Sequence, residues 1–253
     1  MFIDSHCHIY YETFDNDIAD VINRAHDVGV TKLVCVGVDL ESSESSINLA
    51  DKYEDVYATV GFHPHESKLA ESNYLNNLES MARHPKVVAI GEIGLDFHYN
   101  HSDTNIQKKI FIEQLELAKS INLPTVVHSR NADIETFEAI SGIKKSRGVV
   151  HCFASDLKHA KKIIKLNYHI SFTGLITFAK DLAEVVKEIP LKNILIETDS
   201  PYLSPIPFRG KRNEPQHVIE IAKEIAHIKG VDLSVVENET TRNTLNLFNK
   251  IKL

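Results

Sequence analysis

Phe2-Ile-Asp-Ser-His-Cys-His8 is a short apolar run that ends in two histidines. The first strand of an open, doubly wound sheet is more often followed by a glycine-rich phosphate turn. Similar runs recur along the chain, separated by longer stretches of helical periodicity. They begin near eight positions: Phe2, Lys32, Val56, Val87, Thr125, Gly148, His169 and Ile194. This alternation over 253 residues predicts an α/β fold, a (β/α)8 TIM barrel, with the doubly wound sheet as the alternative.

Several of these runs are continuously apolar, as at residues 87–90, which is typical of parallel strands buried on both faces. The stretches between the runs predict helices over residues 104–121, 215–229 and about 232–249. Thr104 is the expected N-cap of the first of these helices. Gly230 stands where the second needs a C-terminal cap. The chain therefore predicts helices that cover a parallel sheet.

The composition indicates a globular protein of the cytoplasm. Apolar residues make up 43% and charged residues 25%, which excludes a disordered chain or a collagen-like repeat. Three cysteines are few, as in a reducing compartment, and we expect neither a signal peptide nor a membrane span. The net charge of −7 argues against a broadly basic nucleic-acid clamp. We predict one barrel domain over residues 1–253, in the cytoplasm.

The active site of a barrel lies at the C-terminal ends of its strands, and many polar residues follow the predicted strands here. Six of the 14 histidines fall on this rim: His6, His8, His63, His65, His128 and His151. Two carboxylates, Glu92 and Asp199, also end apolar runs, where a buried charge needs a cation or several donors. Four further histidines lie in helical stretches and are expected on the surface: His26, His159, His217 and His227.

His6 and His8 are the first candidates for metal ligands. Residues i and i+2 of a strand point to the same side, so their imidazoles converge. Each rim histidine alone is more often a core or loop residue, and a structural ion pair is the alternative for each carboxylate. Together, however, four histidines and two carboxylates suit a pair of divalent ions of the Zn, Mn, Co or Fe type, with Mg as an alternative. The six predicted ligands are His6, His8, Glu92, His128, His151 and Asp199.

A second group of rim residues is predicted to contact substrate. Arginine forks suit phosphate oxygens, and barrels often bind phosphate near their last loops. The basic candidates are Arg130, Arg209, Lys211 and Arg212, although a short basic run is often only a solvated loop. His63 is a further candidate for a contact with substrate or leaving group, and a loop histidine is the alternative. Cys7 and Cys152 alternate away from the ligands and are expected to be packing residues.

These residues stand in motifs that resemble those of the TatD-type metal-dependent deoxyribonucleases, a branch of the amidohydrolase-like barrels. The resemblance extends from about residue 2 to about residue 249. It is carried by FIDSHCH at 2–8, GFHPH at 61–65, GEIGLD at 91–96, PTVVHSR at 124–130, HCF at 151–153, ISFTG at 170–174, ETDSPYL at 197–203 and RGKRNEP at 209–215. The ordered series is far more specific than any one motif.

The resemblance implies a site for two divalent metal ions. His6 and His8 would hold one ion, and His128 and His151 the other. Glu92 would bridge the two ions, while Asp199 would bind the first ion and act as general base. Two departures stand out: Tyr10 replaces the usual Asp or Asn, and Ala154-Ser155 replaces Ser-Gly. The first leaves the role of position 10 open, and the second predicts a different loop shape.

The implied activity is hydrolysis of phosphodiester bonds by a deoxyribonuclease, a 3′–5′ exonuclease on single-stranded DNA. A water bridging two metal ions would be activated as hydroxide, and Arg130 would stabilise the developing charge. An amide or ester hydrolase, such as a D-aminoacyl-tRNA deacylase, is the alternative, because the same ligands serve attack on carbon. A second alternative is a metal-stabilised scaffold protein without enzymatic activity. The partner is a phosphate-bearing substrate, with no membrane and no obligate protein partner expected.

Overall fold

A computed structural model describes residues 1–252, and this part of the chain contains eight parallel strands. They are β1 (Phe2–Cys7), β2 (Val30–Val36), β3 (Val56–Val60), β4 (Val87–Asp96), β5 (Thr125–Arg130), β6 (Gly148–Val150), β7 (Tyr168–Phe172) and β8 (Ile194–Ile196). Each strand pairs with the next along the chain, in the order β1 to β8. The predicted strand positions and the (β/α)8 barrel are therefore confirmed.

Nine helices alternate with these strands in residues 1–252. They are α1 (Ile18–Asp27), α2 (Leu40–Lys52), α3 (Tyr74–Ala82), α4 (Thr104–Ser120), α5 (Asp133–Gly142), α6 (Leu157–Lys165), α7 (Leu182–Glu188), α8 (Val218–Lys229) and α9 (Leu233–Leu247). Short 3-10 turns lie at Glu12–Phe14, Pro64–Leu69, Gly174–Thr177, Leu191–Asn193 and Pro215–His217. None of the described helices combines the length and apolar character needed to cross a membrane.

The barrel closes where β8 meets β1, and the polypeptide just beyond β8 makes this seam. Cys7 and Ser200 form an isolated parallel bridge. The N–H of Asp199 donates to His6 O at 2.9 Å, and the N–H of His8 donates to Ser200 O at 2.8 Å. The seam therefore holds His6 and His8, two predicted ligands, against Asp199, a third predicted ligand.

Apolar side chains pack on both faces of the sheet. Val34 and Val36 of β2 belong to one cluster of buried residues, while Leu33 and Cys35, which alternate with them, pack among residues of the helices. The first cluster fills the barrel interior, and Phe248, near the end of the chain, packs into it. The N–H of Lys252 donates to the Tyr57 hydroxyl at 2.9 Å, beside the start of β3. The last residues thus close the end of the barrel away from the predicted site.

The helix ends differ in detail from the sequence prediction. α4 begins at Thr104, but Asp103 is its cap, since the Asp103 carboxylate accepts the N–H of Asn105 at 2.8 Å. The predicted helix over 215–229 begins as a 3-10 turn before α8. Gly230 adopts the left-handed conformation, with φ of 64°, and caps α8 as predicted.

The expectation that the helical histidines lie on the surface is wrong for two of them. His159 and His217 are 8% and 7% exposed. His217 stacks on Phe208, with ring centroids 4.0 Å apart, and its Nδ1 lies 2.9 Å from Asn213 Oδ1. Both are therefore structural residues of the helical layer rather than solvated ones.

Candidate active site

Six predicted metal ligands meet at the C-terminal end of the barrel. β1 carries His6 and leads directly into His8, β4 carries Glu92, and β5 carries His128. His151 follows β6 and Asp199 follows β8. Parallel strands of a closed barrel end at one rim, so residues distant in sequence come into contact there. The structure brings all six together.

The first half of the site brings two imidazole nitrogens and a carboxylate oxygen close together. His6 Nε2 lies 3.1 Å from His8 Nε2. Asp199 Oδ1 lies 3.5 Å and 3.4 Å from these two nitrogens. His8 Nδ1 lies 2.9 Å from Val36 O, so the neutral ring donates there and turns a lone pair inward. A cation at this point satisfies all three side chains, and the residues therefore fit a metal ion.

The second half of the site surrounds the Oε1 atom of Glu92. Glu92 Oε1 lies 2.7 Å from His151 Nε2 and 3.0 Å from His128 Nδ1. Glu92 Oε2 instead faces the first half, at 3.5 Å from His6 Nε2. One carboxylate thus presents an oxygen to each group of histidines, which is the arrangement that a bridging ligand requires.

Glycines let β4 approach β5 closely enough to place Glu92. A Cβ atom at Gly91 would lie 2.6 Å from the Val126 Cβ. Gly94 has φ of 142°, and a Cβ there would lie 2.0 Å from His128 O. The pairing of β4 with β5 also shifts register between Ile90 and Ile93. Side chains at these glycines would push Glu92 and His128 apart.

Burial and neighbouring charges set the protonation of the ligands. Burial raises the pKa of Glu92, but His151, His63 and His128 lower it more, so its pKa lies well below the usual range. Burial likewise opposes ionisation of Asp199, but His8, His6 and His151 together outweigh burial and lower the pKa of Asp199. Burial and the nearby His151 lower the pKa of His6. Nearby carboxylates outweigh burial at His8, His128 and His151 and raise the pKa of each ring. Ionised carboxylates and neutral imidazoles are the forms that bind metal ions, so these three rings release protons when a metal ion binds.

Asp96 is a functional residue that the sequence reasoning missed, although it lies in the GEIGLD motif. Its Oδ2 atom lies 3.2 Å from His128 Nε2 and 2.9 Å from His65 Nε2. Gln107 accepts the N–H of Asp96 at 2.9 Å and fixes the end of β4. Burial raises the pKa of Asp96, but His128 and His65 outweigh burial and lower it. Asp96 thus orients both rings.

Glu197 supports the His151 ring, on the other side of the site. The sequence did not identify this residue either. The side chain is 1% exposed, and its Oε1 accepts the N–H of Cys152 at 2.6 Å. The same oxygen lies 3.3 Å from His151 Nδ1. Its place in the ETDSPYL motif, two residues before Asp199, is the signal that could have identified it.

Asp4 fastens the seam beneath the ligands. Its Oδ1 accepts the N–H of Thr198 at 2.8 Å, and its Oδ2 accepts the Thr198 hydroxyl at 2.5 Å. Burial raises the pKa of Asp4 to about 8, although these hydrogen bonds oppose the rise. The pair connects the start of β1 to the segment that carries Asp199.

His63 lies inside the site and His65 at its edge. His63 Nδ1 accepts the N–H of His65 at 3.1 Å, so the neutral ring carries its proton on Nε2. That Nε2 atom lies 3.5 Å from Glu92 Oε1. Burial lowers the pKa of His63 well below its usual value. His63 can therefore donate a hydrogen bond at the centre of the site, as a contact with substrate requires.

The four basic candidates have different surroundings. Arg130 and Arg209 are exposed and stack on aromatic rings, at 4.6 Å from the Tyr99 centroid and 3.7 Å from the Phe178 centroid. Lys211 is exposed. Arg212 instead pairs with Asp17 Oδ2 at 2.7 Å and with Glu214 Oε1 at 2.8 Å, and so already has anionic partners. The structure thus leaves three of the four side chains open to a phosphate.

The two departures from the family motifs lie on either side of the site. The Tyr10 hydroxyl lies 3.4 Å from His8 Nδ1, so this residue contacts a predicted ligand. Ser155 donates through its hydroxyl to Asp133 at the start of α5, which ties the loop after His151 to the neighbouring helix.

Cys7 is buried, with Sγ 3.4 Å from Val34 O, and Cys152 Sγ lies 3.7 Å from the Thr173 hydroxyl.

Comparisons with known proteins show similarity over nearly the whole chain. The family model for TatD related DNases matches residues 3–249. The Bacillus subtilis protein named uncharacterized metal-dependent hydrolase YabD is 40% identical, over 98% of this chain and 99% of its own. The Shigella flexneri 3′-5′ ssDNA/RNA exonuclease TatD is 35% identical, over 93% and 94%. The crystal structure of YJJV, a TatD homolog from Escherichia coli K12, superposes with a TM-score of 0.92 at 30% identity, covering 98% of each chain.

Proposed function

The chain belongs to the family of TatD related DNases, and from that premise we propose that it is a metal-dependent phosphodiesterase that removes nucleotides from the 3′ end of single-stranded DNA. The observation that carries the proposal is the position of Glu92. Its two oxygens face two separate groups of histidines, with Oε1 at 2.7 Å from His151 Nε2 and Oε2 at 3.5 Å from His6 Nε2. This donor set supports two divalent ions.

His6, His8 and Asp199 would hold one ion, His128 and His151 the other, and Glu92 would contact both. The imidazole nitrogens and few carboxylate oxygens favour Zn, Mn, Co or Fe over ions that prefer all-oxygen sites. A pair of divalent ions supplies an activated water at neutral pH and offsets the charge that develops on a phosphodiester.

The side chains of this protein supply the remaining steps. Asp199 accepts the proton of the attacking water through its carboxylate, since its lowered pKa keeps it ionised at neutral pH. His63 donates a hydrogen bond from its neutral Nε2–H to the phosphate or the leaving oxygen, from its place beside Glu92. Arg130, exposed at the end of β5, donates to a non-bridging phosphate oxygen.

The choice of a nucleic-acid substrate has two supports. The related Shigella flexneri protein is named as a 3′-5′ exonuclease of single-stranded DNA and RNA. The exposed Arg130, Arg209 and Lys211 give an otherwise acidic protein, with a net charge of −7, a local source of positive charge. A ligand set inside a barrel mouth favours a strand end over an intact duplex.

A metal-dependent activity panel tests the proposal. Protein stripped with EDTA is reloaded with Zn, Mn, Co, Fe or Mg and given a ten-residue thymidine strand labelled at the 5′ end, which resolves successive losses from the 3′ end. We expect a ladder of products only in the reloaded protein. Glu92→Ala should abolish it, whereas Glu220→Ala, on α8 and outside the predicted ligand set, should leave it unchanged. Metal-loaded protein that spares the strand but cleaves D-aminoacyl-tRNA would contradict the proposal.

A further inference from the structure

An aromatic and basic cluster lies beside the candidate metal centre, near the ends of β4 and β5. The Arg130 guanidinium carbon lies 4.6 Å from the centre of the Tyr99 ring. The His101 ring is stacked with Tyr99, with centroids 5.8 Å apart and planes 21° apart. Tyr99 is 50% exposed despite its large ring. We call Tyr99, Arg130 and His101 the rim cluster, and only Arg130 has a role in the hydrolysis proposed above.

Hydrogen bonds connect the rim cluster to the metal centre through one carboxylate. The N–H of Tyr99 donates to Asp96 Oδ1 at 3.0 Å, while Asp96 Oδ2 lies 3.2 Å from His128 Nε2. The His65 ring lies edge-on to Tyr99, with centroids 5.7 Å apart, and also contacts Asp96. A single side chain therefore separates the backbone of Tyr99 from a predicted ligand, and the exposed ring adjoins the site.

The loop that carries Tyr99 is held in place by its neighbours. The Ser102 hydroxyl donates to His65 O at 2.7 Å and accepts the N–H of Lys68 at 3.1 Å. The Lys68 ammonium donates to His101 O at 3.1 Å. Anchoring at these points means that little conformational freedom is lost when a ligand binds the ring.

The chemistry of the rim cluster matches a single-stranded nucleic acid. Proteins that bind such strands combine aromatic rings, on which bases stack, with cations that meet the backbone. A guanidinium stacked on a ring keeps its N–H groups in its own plane, so they remain free to donate to phosphate oxygens. We propose that the part of the Tyr99 ring left exposed by Arg130 and His101 is a stacking platform for a base next to the scissile phosphodiester, and that Arg130 binds the phosphate of that nucleotide. This inference rests on the proposed function, because it takes a nucleic acid as the substrate.

The net charge of the protein favours a contribution from base stacking. Non-specific binding of nucleic acids comes from neutralised phosphates and falls steeply with salt. A chain with a net charge of −7 and few open basic side chains at the rim has little of that electrostatic affinity. Base stacking supplies affinity that survives at high salt, and every base offers a face for it.

Binding of strands with and without bases tests the platform. The probe is a fluorescent ten-residue thymidine strand with phosphorothioate linkages, which resist hydrolysis, compared with an otherwise identical strand of abasic residues. Fluorescence anisotropy is measured with the protein as purified and with Tyr99→Ala and Tyr99→Phe. We expect Tyr99→Ala to weaken binding of the thymidine strand about tenfold, equivalent to ~1.4 kcal/mol, and Tyr99→Phe to keep the affinity. The abasic strand should bind all three proteins equally weakly.

Two further tyrosines complete the design. Tyr53 carries the Lys52 ammonium 5.3 Å from its ring centroid, but it caps α2 at the opposite end of the barrel. Tyr53→Ala is therefore the matched control and should not change binding. Tyr202 is 56% exposed and lies 6.0 Å from Tyr11 on the β1 side of the rim. Loss of affinity in Tyr202→Ala with none in Tyr99→Ala would overturn the inference, as would equal binding of the thymidine and abasic strands.

Failure of this inference can be told from failure of the proposed function. A protein that degrades an ordinary strand but binds thymidine and abasic strands equally keeps the hydrolysis and refutes the platform. A protein that binds through Tyr99 yet cleaves no strand with any metal supports the platform and refutes the hydrolysis. Catalytic rates add a further readout, since Tyr99→Ala should raise KM about tenfold with little change in kcat.

Discussion

The carboxylate of Glu197 lies 3.3 Å from Nδ1 of His151, and it accepts the backbone N–H of Cys152 at 2.6 Å. His151 Nε2 points the other way, to Glu92. A carboxylate behind an imidazole fixes the ring and makes its inner nitrogen a stronger ligand. Glu197 is therefore a positioning residue for the second half of the site.

We expect Glu197→Gln to weaken metal binding about 10–100-fold, because the amide keeps the shape of the carboxylate but not its charge. Zinc competition against a chromogenic chelator measures the change. Glu184→Gln, an exposed substitution on α7, is the matched control and should bind zinc normally. Unchanged affinity in Glu197→Gln would show that the carboxylate serves only to hold the backbone of Cys152.

Metal ions should stabilise the folded protein, since the ligands converge only in the native state. A metal ion present at 100 times its dissociation constant adds ~2.7 kcal/mol to the free energy of unfolding. For a chain of this size that corresponds to a rise in Tm of roughly 5–10 °C. Thermal unfolding with metal and with EDTA measures it. Glu92→Ala should lose most of the rise, and a full rise in that variant would place the metal ions elsewhere.

Arg212 and Arg130 should respond in opposite ways to substitution. Arg212→Ala removes the guanidinium from Asp17 and Glu214, so we expect about 2 kcal/mol less stability in urea unfolding and little change in KM for single-stranded DNA. Arg130→Ala should raise KM and leave stability nearly unchanged, because its side chain is exposed. A raised KM in Arg212→Ala at normal stability would restore Arg212 as a phosphate ligand.

Stability should fall in acid partly through Asp17. The hydrogen bond from Arg212 is the main cause that lowers the pKa of Asp17 from 3.8 to about 2. A carboxyl with a lowered pKa in the folded state contributes its stability above pH 3.8, and the contribution is lost as the pH falls towards 2. Solvent screening limits the effect to about 1 kcal/mol. Urea unfolding measured between pH 5 and pH 2 should show that the free energy of unfolding falls less with pH in Asp17→Asn. An equal fall in both proteins would assign the acid sensitivity to other carboxyl groups.

Gly94 should tolerate no side chain. Its φ of 142° is unfavourable for other residues, and a Cβ would lie 2.0 Å from His128 O. We expect Gly94→Ala to lower the free energy of unfolding by more than about 3 kcal/mol and to impair metal binding. Gly142→Ala is the matched control, because open space surrounds that position at the end of α5. It should be neutral or slightly stabilising. A stable Gly94→Ala protein with normal metal affinity would refute the close approach of β4 and β5.

The barrel could be predicted from the sequence because its signals are local. A run such as Val87 to Ile90 predicts a buried strand by itself. Because the strand ends of a barrel meet at one rim, His6, His128 and the other ligands could then be predicted to lie together. The contact of Glu92 with both groups of histidines depends on the close pairing of β4 with β5, which the spacing of residues along the chain does not show.

Residues that act through another side chain were harder to identify. Asp96 and Glu197 matter because of the ring nitrogen that each one faces, and that depends on side-chain rotation. His217 lies in a polar segment, yet Phe208 covers its ring. Arg212 belongs to a basic run, but Asp17, which neutralises it, is 195 residues away in sequence. Such long-range pairs are fixed by packing rather than by a local pattern.

The seam between β8 and β1 has a consequence for synthesis of the protein. Asp4 and Thr198 are joined by hydrogen bonds across 194 residues, and Asp199 reaches His6 over a similar span. A growing chain on the ribosome exposes His6 and His8 early, but it cannot bring Asp199 to them until the segment after β8 has emerged. Nascent chains and fragments that end before Thr198 therefore carry an incomplete site. The six predicted ligands therefore come together only when the barrel closes.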